Sequence, residues 1–186
     1  MQKSMKEERI GVEFTTNEGY QVIVIDYVNY DNVQVMFLDE HKWTTLTTWK
    51  NLENGHLKNP FHKSVHGVGF LGVGYVSTKK NGQKTREYNL WMSMLDRCYS
   101  GKYASYENVT VCDRWHCYST FLEDLPKIKN YELWKNGDKR EYDLNKDLYY
   151  RDLGISTNDK VYSLETCQFL PKKLNASIQT HKTKNS

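Results

Sequence analysis

The order of elements in the last third of the chain most constrains how the sequence can fold. Residues 142–148 alternate apolar and polar side chains, which predicts a strand, and residues 166–170 predict a second, short strand. Residues 171–178 begin with a proline and carry a basic, helix-compatible sequence, which predicts a helix. A strand pair followed by a helix can bring polar side chains from separate segments to one point. The pattern therefore predicts a compact site in this part of the chain.

Polar side chains of the first predicted strand have the chemistry of a divalent metal site. Asp143, Asn145 and Asp147 alternate, so a strand would place all three on one face. Lys146 would lie on the other face, and Asn175 falls near the start of the predicted helix. Oxygen ligands of this kind suit Mg²⁺ or Mn²⁺, which can activate water for phosphodiester hydrolysis. The alternative is an ordinary edge strand with a solvated polar face.

Composition and charge describe an ordered protein that tolerates anionic partners. The 186 residues carry a formal net charge of +3, which permits nucleic-acid binding without indicating it. Aromatic residues make up 13% of the chain, more than a disordered protein would carry. The N-terminus lacks the apolar segment of a secretion signal, and no apolar run approaches the ~20 residues of a membrane span. With four cysteines and no such signal, we expect a cytoplasmic protein with reduced thiols and no membrane partner.

The chain is predicted to be an α+β protein with two domains and a short tail. Residues 8–60 contain four or five short strands separated by turn signals, which predicts a small SH3-like or Tudor-like β-barrel. After a linker that ends near Ser64, residues 67–180 form the second domain, and residues 181–186 are a basic tail.

Within the second domain, apolar residues at helical spacing predict helices over 87–99 and 114–125, and residues 127–140 are predicted to be a loop. The glycine-rich residues 67–75 superficially resemble a phosphate-binding loop. Their spacing is not the G-x-G-x-x-G pattern that enters a helix, and a short strand and a hairpin turn over 79–82 follow. A strand kinked by glycines is the better interpretation.

Cysteine and histidine residues offer a competing metal site. Cys112, His116 and Cys117 lie close together in the sequence, but the paired C-x-x-C or H-x-x-x-H spacings of structural zinc sites are missing. Cys98 and Cys167 occupy apolar positions that suit buried free thiols. A zinc site is therefore not expected.

Basic residues cluster in two places that could contact nucleic acid. One group surrounds the predicted hairpin turn and the other begins the last predicted helix: Lys79, Lys80, Lys84 and Arg86, then Lys172 and Lys173. Ion pairing with phosphates and the release of counterions would let either group bind nucleic acid. The alternative for both groups is a solvated surface.

Five short motifs follow one another through the second domain: Trp91-x-x-Met94-x-x-Arg97-Cys98-Tyr99, Tyr106-x-Asn108-Val109-x-Val111-Cys112-x-x-Trp115, Phe121-x-x-Asp124, Leu144-Asn145-Lys146-Asp147 and Tyr162-Ser163-x-Glu165-Thr166-Cys167. Together they resemble an HNH-like (ββα-metal) endonuclease family of phages and mobile elements, whose members often carry AP2-like DNA-binding modules. The resemblance covers about residues 67–178, and its first and last motifs are the most specific.

The resemblance implies cleavage of DNA with one divalent metal ion. By position, Asn145 stands where the family has a metal-binding carboxylate, and Lys146 stands where it has the general-base histidine. Thr166 replaces the asparagine of the middle motif, and Asn175 takes the place of the ligand on the helix. Lys146 could act as a base near neutral pH only with a strongly depressed pKa. Arg97 is a further candidate for a phosphate contact.

We therefore expect a small SH3-like β-barrel followed by an HNH-like ββα-metal domain of phage origin. The expected function is metal-dependent DNA cleavage in the host cytoplasm, with Lys146 and Asp147 as catalytic residues. Asp143, Asn145 and Asn175 are the expected ligands of Mg²⁺ or Mn²⁺. The alternative is a catalytically inactive relative that binds nucleic acid, a host protein or a ribonucleoprotein, and so regulates or inhibits a host defence system.

Overall fold

The computed structural model describes residues 4–74, 76–138 and 141–180. The chain divides into two compact units, Met1–His62 and Lys63–Ser186, and each of them combines helices with small sheets. The predicted α+β class is therefore confirmed. The strand predicted over 75–77 is absent where the structure describes it, because Val76 and Ser77 are irregular; Tyr75 itself and the basic tail predicted over 181–186 lie outside the described residues. None of the described helices has both the length and the apolar character needed to cross a bilayer.

The first unit is a four-stranded antiparallel sheet with two short helices. Its elements are α1 (Met5–Arg9), β1 (Glu13–Thr15), β2 (Gln21–Asn29), β3 (Asn32–Phe37), β4 (Thr44–Thr47) and α2 (Trp49–Glu53). The strands follow the spatial order β1-β2-β3-β4, and in the described residues the sheet stays open instead of closing into the predicted barrel. The edge strands are only three and four residues long. Helix α2 packs against the core of the first unit, in which its Leu52 is buried.

Alternating burial along β2 and β3 explains why this sheet forms. Val22 and Val24 of β2 lie on the same face as Val33, Val35 and Phe37 of β3, and all five are at most 1% exposed. Their β-branched and aromatic side chains suit a pleated, half-buried surface. The opposite face of both strands carries partly or fully exposed residues, as expected for an antiparallel sheet with one solvated side.

Besides two 3₁₀-helices, Ala104–Tyr106 and Leu125–Lys127, the second unit contains twelve described α-helices and β-strands. They are β5 (Lys79–Lys80), β6 (Gln83–Lys84), α3 (Arg86–Tyr99), β7 (Val109–Val111), α4 (Asp113–His116), α5 (Tyr118–Asp124), α6 (Tyr131–Asn136), β8 (Tyr142–Asn145), α7 (Asp147–Asp152), β9 (Lys160–Tyr162), β10 (Gln168–Pro171) and α8 (Lys172–Thr180). Three two-stranded sheets result: the β5–β6 hairpin, the antiparallel pair β8–β10 and the parallel pair β7–β9.

Helix α3 supplies the centre of the second core. Trp91, Met94 and Leu95 recur at helical spacing and are fully buried. The indole Nε1–H of Trp91 donates to the carbonyl oxygen of Trp115, at 2.7 Å, so the polar end of this large side chain is satisfied. Burying a side chain of this size contributes about 1.5–3 kcal/mol. The apolar stripe predicted from the sequence is therefore the element around which the second unit packs.

The described part of the glycine-rich stretch lies tightly against α3. A Cβ atom on Gly69 would stand 2.5 Å from Leu95 Cδ1 and 3.0 Å from Trp91 Cη2. The glycine therefore permits a close approach of backbone to helix. The hairpin predicted after it is also present, with Asn81 and Gly82 both at positive φ in its turn.

Two predicted elements of the second unit differ from the structure. The helix predicted over 114–125 is two helices, because Cys117 adopts an extended backbone (φ −86°, ψ 121°) and bridges to Phe70. The loop predicted over 127–140 contains helix α6, whose Trp134 stacks on Phe169 with ring centroids 4.9 Å apart. Long-range packing of this aromatic pair, which local sequence does not reveal, is the physical reason for the helix.

We expect the substitution Gly69→Ala to lower the free energy of unfolding by about 1–3 kcal/mol, because the added methyl group must displace Leu95 or Trp91 from a close-packed core. Urea denaturation followed by tryptophan fluorescence measures this change. Ser93→Ala, on the exposed face of α3, is the control and should change stability by less than about 0.5 kcal/mol. Equal stability of the Gly69→Ala variant and the wild type would contradict the packing described here.

Candidate nucleic-acid interface

The predicted strand–strand–helix order is present at the C-terminal end of the second unit. Strand β8 pairs with β10 in antiparallel register, and Leu144 lies opposite Phe169 with both side chains buried. Helix α8 follows β10 without a connecting loop and contacts both strands. The predicted polar residues therefore lie on neighbouring elements.

Three of the predicted metal ligands form one hydrogen-bonded chain. Asn145 Nδ2 donates to Asn175 Oδ1 at 2.6 Å, and Asn175 Nδ2 donates to Asp143 Oδ2 at 3.4 Å. Asn145 Oδ1 accepts the backbone N–H of Leu148 at 2.8 Å, in the first turn of α7. The structure thus brings Asp143, Asn145 and Asn175 together, but both amide oxygens already accept hydrogen bonds.

Asp147 does not share a strand face with Asp143 and Asn145, as the sequence pattern predicted. Strand β8 ends at Asn145, and Asp147 is the first residue of helix α7. The side chain of Asn145 bonds the helix N-terminus, which is a cap-like interaction that favours a helix start over a continued strand. The expected three-residue ligand face is therefore wrong.

The carboxylate of Asp147 lies against two buried lysines. Lys160 Nζ donates to Asp147 Oδ1 at 2.5 Å, and Lys146 Nζ lies 3.4 Å from Asp147 Oδ2. The exposed fractions of Lys146 and Lys160 are only 3% and 5%. Burial acts to raise the pKa of Asp147, but the two ammonium groups outweigh it and hold that pKa below its ordinary value. Asp147 is therefore a charged carboxylate near neutral pH.

Aromatic rings and an arginine surround the Lys146 ammonium group. Its Nζ lies 4.9 Å from the ring centroid of Tyr106 and 4.8 Å from that of Tyr162, within cation–π range. The guanidinium carbon of Arg97 lies 5.9 Å from the same two rings. Arg97 Nε is buried and has no hydrogen-bond partner among the described residues. We call Arg97, Lys146, Asp147 and Lys160 the cationic cluster.

Two clefts open onto the cationic cluster. One has a volume of about 450 Å³, and its lining includes Lys146, Asp147, Lys160 and Tyr106. The other has a volume of about 400 Å³ and is lined in part by Arg97, Asp143, Asp147, Lys172, Asn175 and Tyr106. Asp147 and Tyr106 thus belong to the walls of both clefts. Each lining carries two cationic and two anionic side chains: Lys146 and Lys160 with Asp147 and Glu107 in the first cleft, and Arg97 and Lys172 with Asp143 and Asp147 in the second.

The groups predicted to bind Mg²⁺ or Mn²⁺ already make contacts within the protein. Both amide oxygens are already bonded, and a divalent ion at Asp147 would have to displace or oppose two ammonium groups. Asp143, whose side chain is 44% exposed, is the more accessible carboxylate, and Lys172 Nζ lies 3.8 Å from it. Within residues 4–74, 76–138 and 141–180, no three His, Cys, Asp or Glu side chains are grouped so that they could hold a metal ion.

The four cysteines of the second unit are free thiols, of which Cys167 is buried and the other three are partly buried. Burial raises the pKa of Cys98 to about 11 and that of Cys167 to about 12, although the positive charge of Lys146 opposes both shifts. Burial also raises the pKa of Cys112. Zinc binds the thiolate form, which raised pKa values disfavour.

Histidines of the described chain make ordinary polar contacts away from both clefts. His116 Nε2 lies 2.9 Å from the hydroxyl of Tyr99, and His66 pairs with Asp96 at 3.3 Å. Neither residue lines the two clefts. His181 lies outside the described residues. The described walls of the site therefore offer no histidine as a general base.

The predicted phosphate-contacting residues differ in how available they are. Lys79, Lys80 and Lys84 are exposed on the β5–β6 hairpin, and Lys172 and Lys173 are exposed at the start of α8. Lys79 stands directly opposite Lys84 across the hairpin. These lysines can reach a ligand without any change in the core.

Arg86, in contrast, has a structural role. Its guanidinium donates to the backbone carbonyl oxygens of Lys135, Gly137 and Asp138 at 3.0–3.4 Å. It also lies over the ring of Trp134, 4.4 Å from the centroid. Arg86 thereby satisfies carbonyl groups at the C-terminal end of α6. It has little capacity left for a phosphate contact.

Sequence reasoning missed Lys160 and assigned no site role to Tyr106 or Tyr162. Lys160 and Tyr162 are buried on the same side of β9, whereas Val161 between them is only partly buried. A lysine at the inward position of an apolar strand is a signal for a buried ion pair, because lysine is almost never fully buried without a partner. The partner itself, Asp147, is thirteen residues away and could not be identified from spacing.

No protein-family model, curated protein or solved structure matches this chain. The geometry of the cationic cluster therefore carries the functional argument.

We expect Asp147→Asn to lower the free energy of unfolding by about 3–5 kcal/mol, because two buried ammonium groups lose their counter-charge. Asp143→Asn is the matched control, since its half-exposed carboxylate makes only long contacts, and it should cost less than about 0.5 kcal/mol. Urea denaturation at neutral pH measures both changes. Equal costs for the two variants would contradict the assignment of Asp147 as the counter-ion of the cluster.

The same pair of variants predicts a pH dependence. The pKa of Asp147 is lower in the folded protein than its ordinary value of 3.8. Its stabilising contribution is therefore fully present above that ordinary value and is lost as the pH falls through the folded pKa. The stability of wild type should consequently fall more steeply than that of Asp147→Asn below about pH 4, as measured by thermal denaturation at a series of acidic pH values. Equal loss of stability in the two proteins below about pH 4 would contradict a lowered pKa of Asp147 in the folded state.

Proposed function

We propose that the second unit is an HNH-like ββα domain that binds the phosphate backbone of nucleic acid, with DNA as the preferred partner, through its cationic cluster. The observation that carries this proposal is the contact of one carboxylate, Asp147, with two buried lysines beside Arg97. The catalytic roles predicted for Lys146 and Asp147 are replaced in this proposal by phosphate binding and by charge compensation.

Charge balance supports an anionic ligand. Asp147 offsets one unit of positive charge, so Lys146, Lys160 and Arg97 leave an excess within the cluster. Charges interact more strongly in a partly desolvated cleft than in water. A phosphodiester carries one negative charge and oxygen acceptors that ammonium and guanidinium groups bind well. The cluster therefore has the sign of charge and the hydrogen-bond donors that a backbone phosphate requires.

The β5–β6 hairpin supports contact with a longer polyanion. Lys79 and Lys84 occupy directly opposed positions, and like charges at such positions destabilise a hairpin. Lys80 adds a third positive charge to the same short hairpin. A phosphate between these side chains would relieve their repulsion, and exposed lysines of this kind contribute binding that is independent of sequence.

The first unit is proposed to be an SH3-like accessory module. Its open four-stranded meander and its own buried core support a separate binding role. In this proposal the protein is a regulator of phage origin. It binds nucleic acid, or a ribonucleoprotein of a host defence system, without cleaving it. A host protein as the target of the first unit is part of this same proposal.

Metal-dependent DNA cleavage is the second candidate function. It is favoured by the ββα order and by the presence of Asp143, Asp147 and Asn175 in the wall of one cleft. The engaged amide oxygens and the lysine-bound carboxylate weigh against it. We therefore favour nucleic-acid binding without cleavage over metal-dependent cleavage.

We expect the protein to shift duplex DNA in a gel and to leave supercoiled plasmid intact with Mg²⁺ or Mn²⁺. Lys160→Gln should weaken DNA binding about tenfold, which corresponds to about 1.4 kcal/mol, and should reduce the salt dependence by about one phosphate contact. Fluorescence anisotropy over a range of salt concentrations measures both effects. Lys129→Ala, at an exposed lysine outside both cleft linings, is the control and should bind as wild type does.

Circular dichroism shows whether the Lys160→Gln variant is folded. If that variant is unfolded, a triple variant of the exposed hairpin, Lys79→Ala, Lys80→Ala and Lys84→Ala, gives the second test. This variant should also bind DNA more weakly than wild type. Plasmid nicking by wild type that is lost in Asp143→Ala would establish cleavage in place of binding alone. Wild-type protein that neither shifts nor nicks DNA would contradict both candidate functions.

A further inference from the structure

Three aromatic rings of the first unit surround the guanidinium group of Arg9. The guanidinium carbon lies 4.2 Å from the ring centroid of Trp49, 4.6 Å from that of Tyr27 and 5.9 Å from that of Tyr30. Its Nη1 also hydrogen-bonds to the hydroxyl of Tyr27. We call Tyr27, Tyr30 and Trp49 the aromatic box. Cations within about 6 Å of a ring centroid are attracted to the negative face of the ring.

A carboxylate completes the aromatic box. Trp49 Nε1 donates to Glu53 Oε1 at 2.8 Å, and the Tyr30 hydroxyl donates to Glu53 Oε2 at 3.3 Å. Burial and the charge of Glu53 raise the pKa of Tyr30, while the charge of Arg9 opposes this shift. Glu53 therefore fixes the orientation of Trp49 and Tyr30, two of the rings that face the guanidinium group.

The aromatic box is held by residues other than Arg9. Trp49 packs edge-on against Phe14 at 5.2 Å and against Tyr27 at 6.0 Å. The backbone N–H of Trp49 donates to the carbonyl oxygen of Tyr30 at 2.8 Å. Tyr27 is itself part of the buried core, at 6% exposure. The site is therefore pre-organised by the sheet and α2, which lowers the cost of binding a ligand.

Helix α1, which carries Arg9, is weakly attached by comparison. It has five residues, none of them buried, and a helix of this length is marginal without tertiary packing. Besides Arg9, its side-chain contacts are the exposed Lys6–Asp26 ion pair at 2.6 Å and a 3.8 Å contact from the Tyr27 hydroxyl to Met5 Sδ. Gly11, at φ +85°, follows the helix with no atom near its missing Cβ. Its freedom at this φ allows it to serve as a hinge.

We propose that the aromatic box is a binding site for an arginine side chain of a partner polypeptide, and that Arg9 occupies it in cis until α1 detaches at Gly11. The guanidinium seen in the box identifies the ligand chemistry directly. This site belongs to the first unit and is independent of the proposed phosphate binding by the second. Competition between Arg9 and the partner would make the affinity for the partner depend on the detachment of α1.

The test uses the full chain and Nα-acetylarginine amide as the probe. The Arg9→Ala variant should bind the probe with a shift of the Trp49 indole N–H resonance, and at least about tenfold more tightly than wild type, because no internal competitor remains. The combined Arg9→Ala and Trp49→Ala variant should not respond at any of the other ring resonances of the box. Lys58→Ala is the control, since it removes one positive charge at an exposed position of the first unit outside α1 and the aromatic box, and its affinity should stay near that of wild type.

A second measurement applies if Arg9→Ala fails to fold. Saturating probe added to wild type should displace Arg9 and move the backbone amide resonances of α1. If the Arg9→Ala variant is folded, the absence of a probe-induced shift of the Trp49 indole N–H resonance would overturn the proposal. If that variant is unfolded, the absence of a probe-induced shift of the α1 amide resonances in wild type would overturn it. Replacing the probe with trimethyllysine amide shows whether the site prefers a guanidinium, as proposed; tighter binding of trimethyllysine would contradict the choice of arginine.

Discussion

The interaction on which the second unit depends is the contact of Asp147 with Lys146 and Lys160. It joins the β8–α7 junction, where Lys146 and Asp147 are consecutive, to the first residue of β9, which lies 13 residues beyond Asp147. Each of these charges would be costly to bury alone, because removal from water disfavours an isolated ion by several kcal/mol. Once the three are assembled, Lys160 holds β9 in place, and β9 pairs with β7. The cluster is thus both a structural joint and the source of local positive charge.

That constraint is the basis on which we propose an anionic ligand for the site. In a nuclease of the ββα type, a carboxylate or amide at this point would face a metal ion, and the family resemblance implies such a site. Here Asp147 already has two ammonium partners, and the oxygens of Asn145 and Asn175 accept hydrogen bonds from within the protein. A phosphate group requires positive charge and hydrogen-bond donors, which the cluster supplies. We therefore propose that this strand–strand–helix arrangement holds a nucleic-acid backbone and not a metal ion.

Much of the fold could be predicted from local patterns, whereas the site required long-range information. The apolar stripe of α3, the hairpin at Asn81–Gly82 and the strand–strand–helix order follow from periodicity and turn chemistry, and all are present. The strand predicted through Asp147 was wrong because the capping interaction of Asn145 with α7 outweighs the alternation of residue types. The role of Lys160 could not be predicted, since its partner lies on another element. Arg86 looked like a phosphate ligand because its contacts with the end of α6 are also invisible in the sequence.

The measurement that tests the central claim most directly is a pair of titrations of the full chain followed by ¹H–¹⁵N NMR, one with inorganic phosphate and one with Mn²⁺. The account predicts that phosphate shifts the amide resonances of Tyr106, Lys146 and Lys160, and that equal concentrations of Mn²⁺ cause no selective paramagnetic broadening there. Selective broadening by Mn²⁺ centred on Asp143 and Asp147, with no response to phosphate, would contradict the account and identify a metal centre instead.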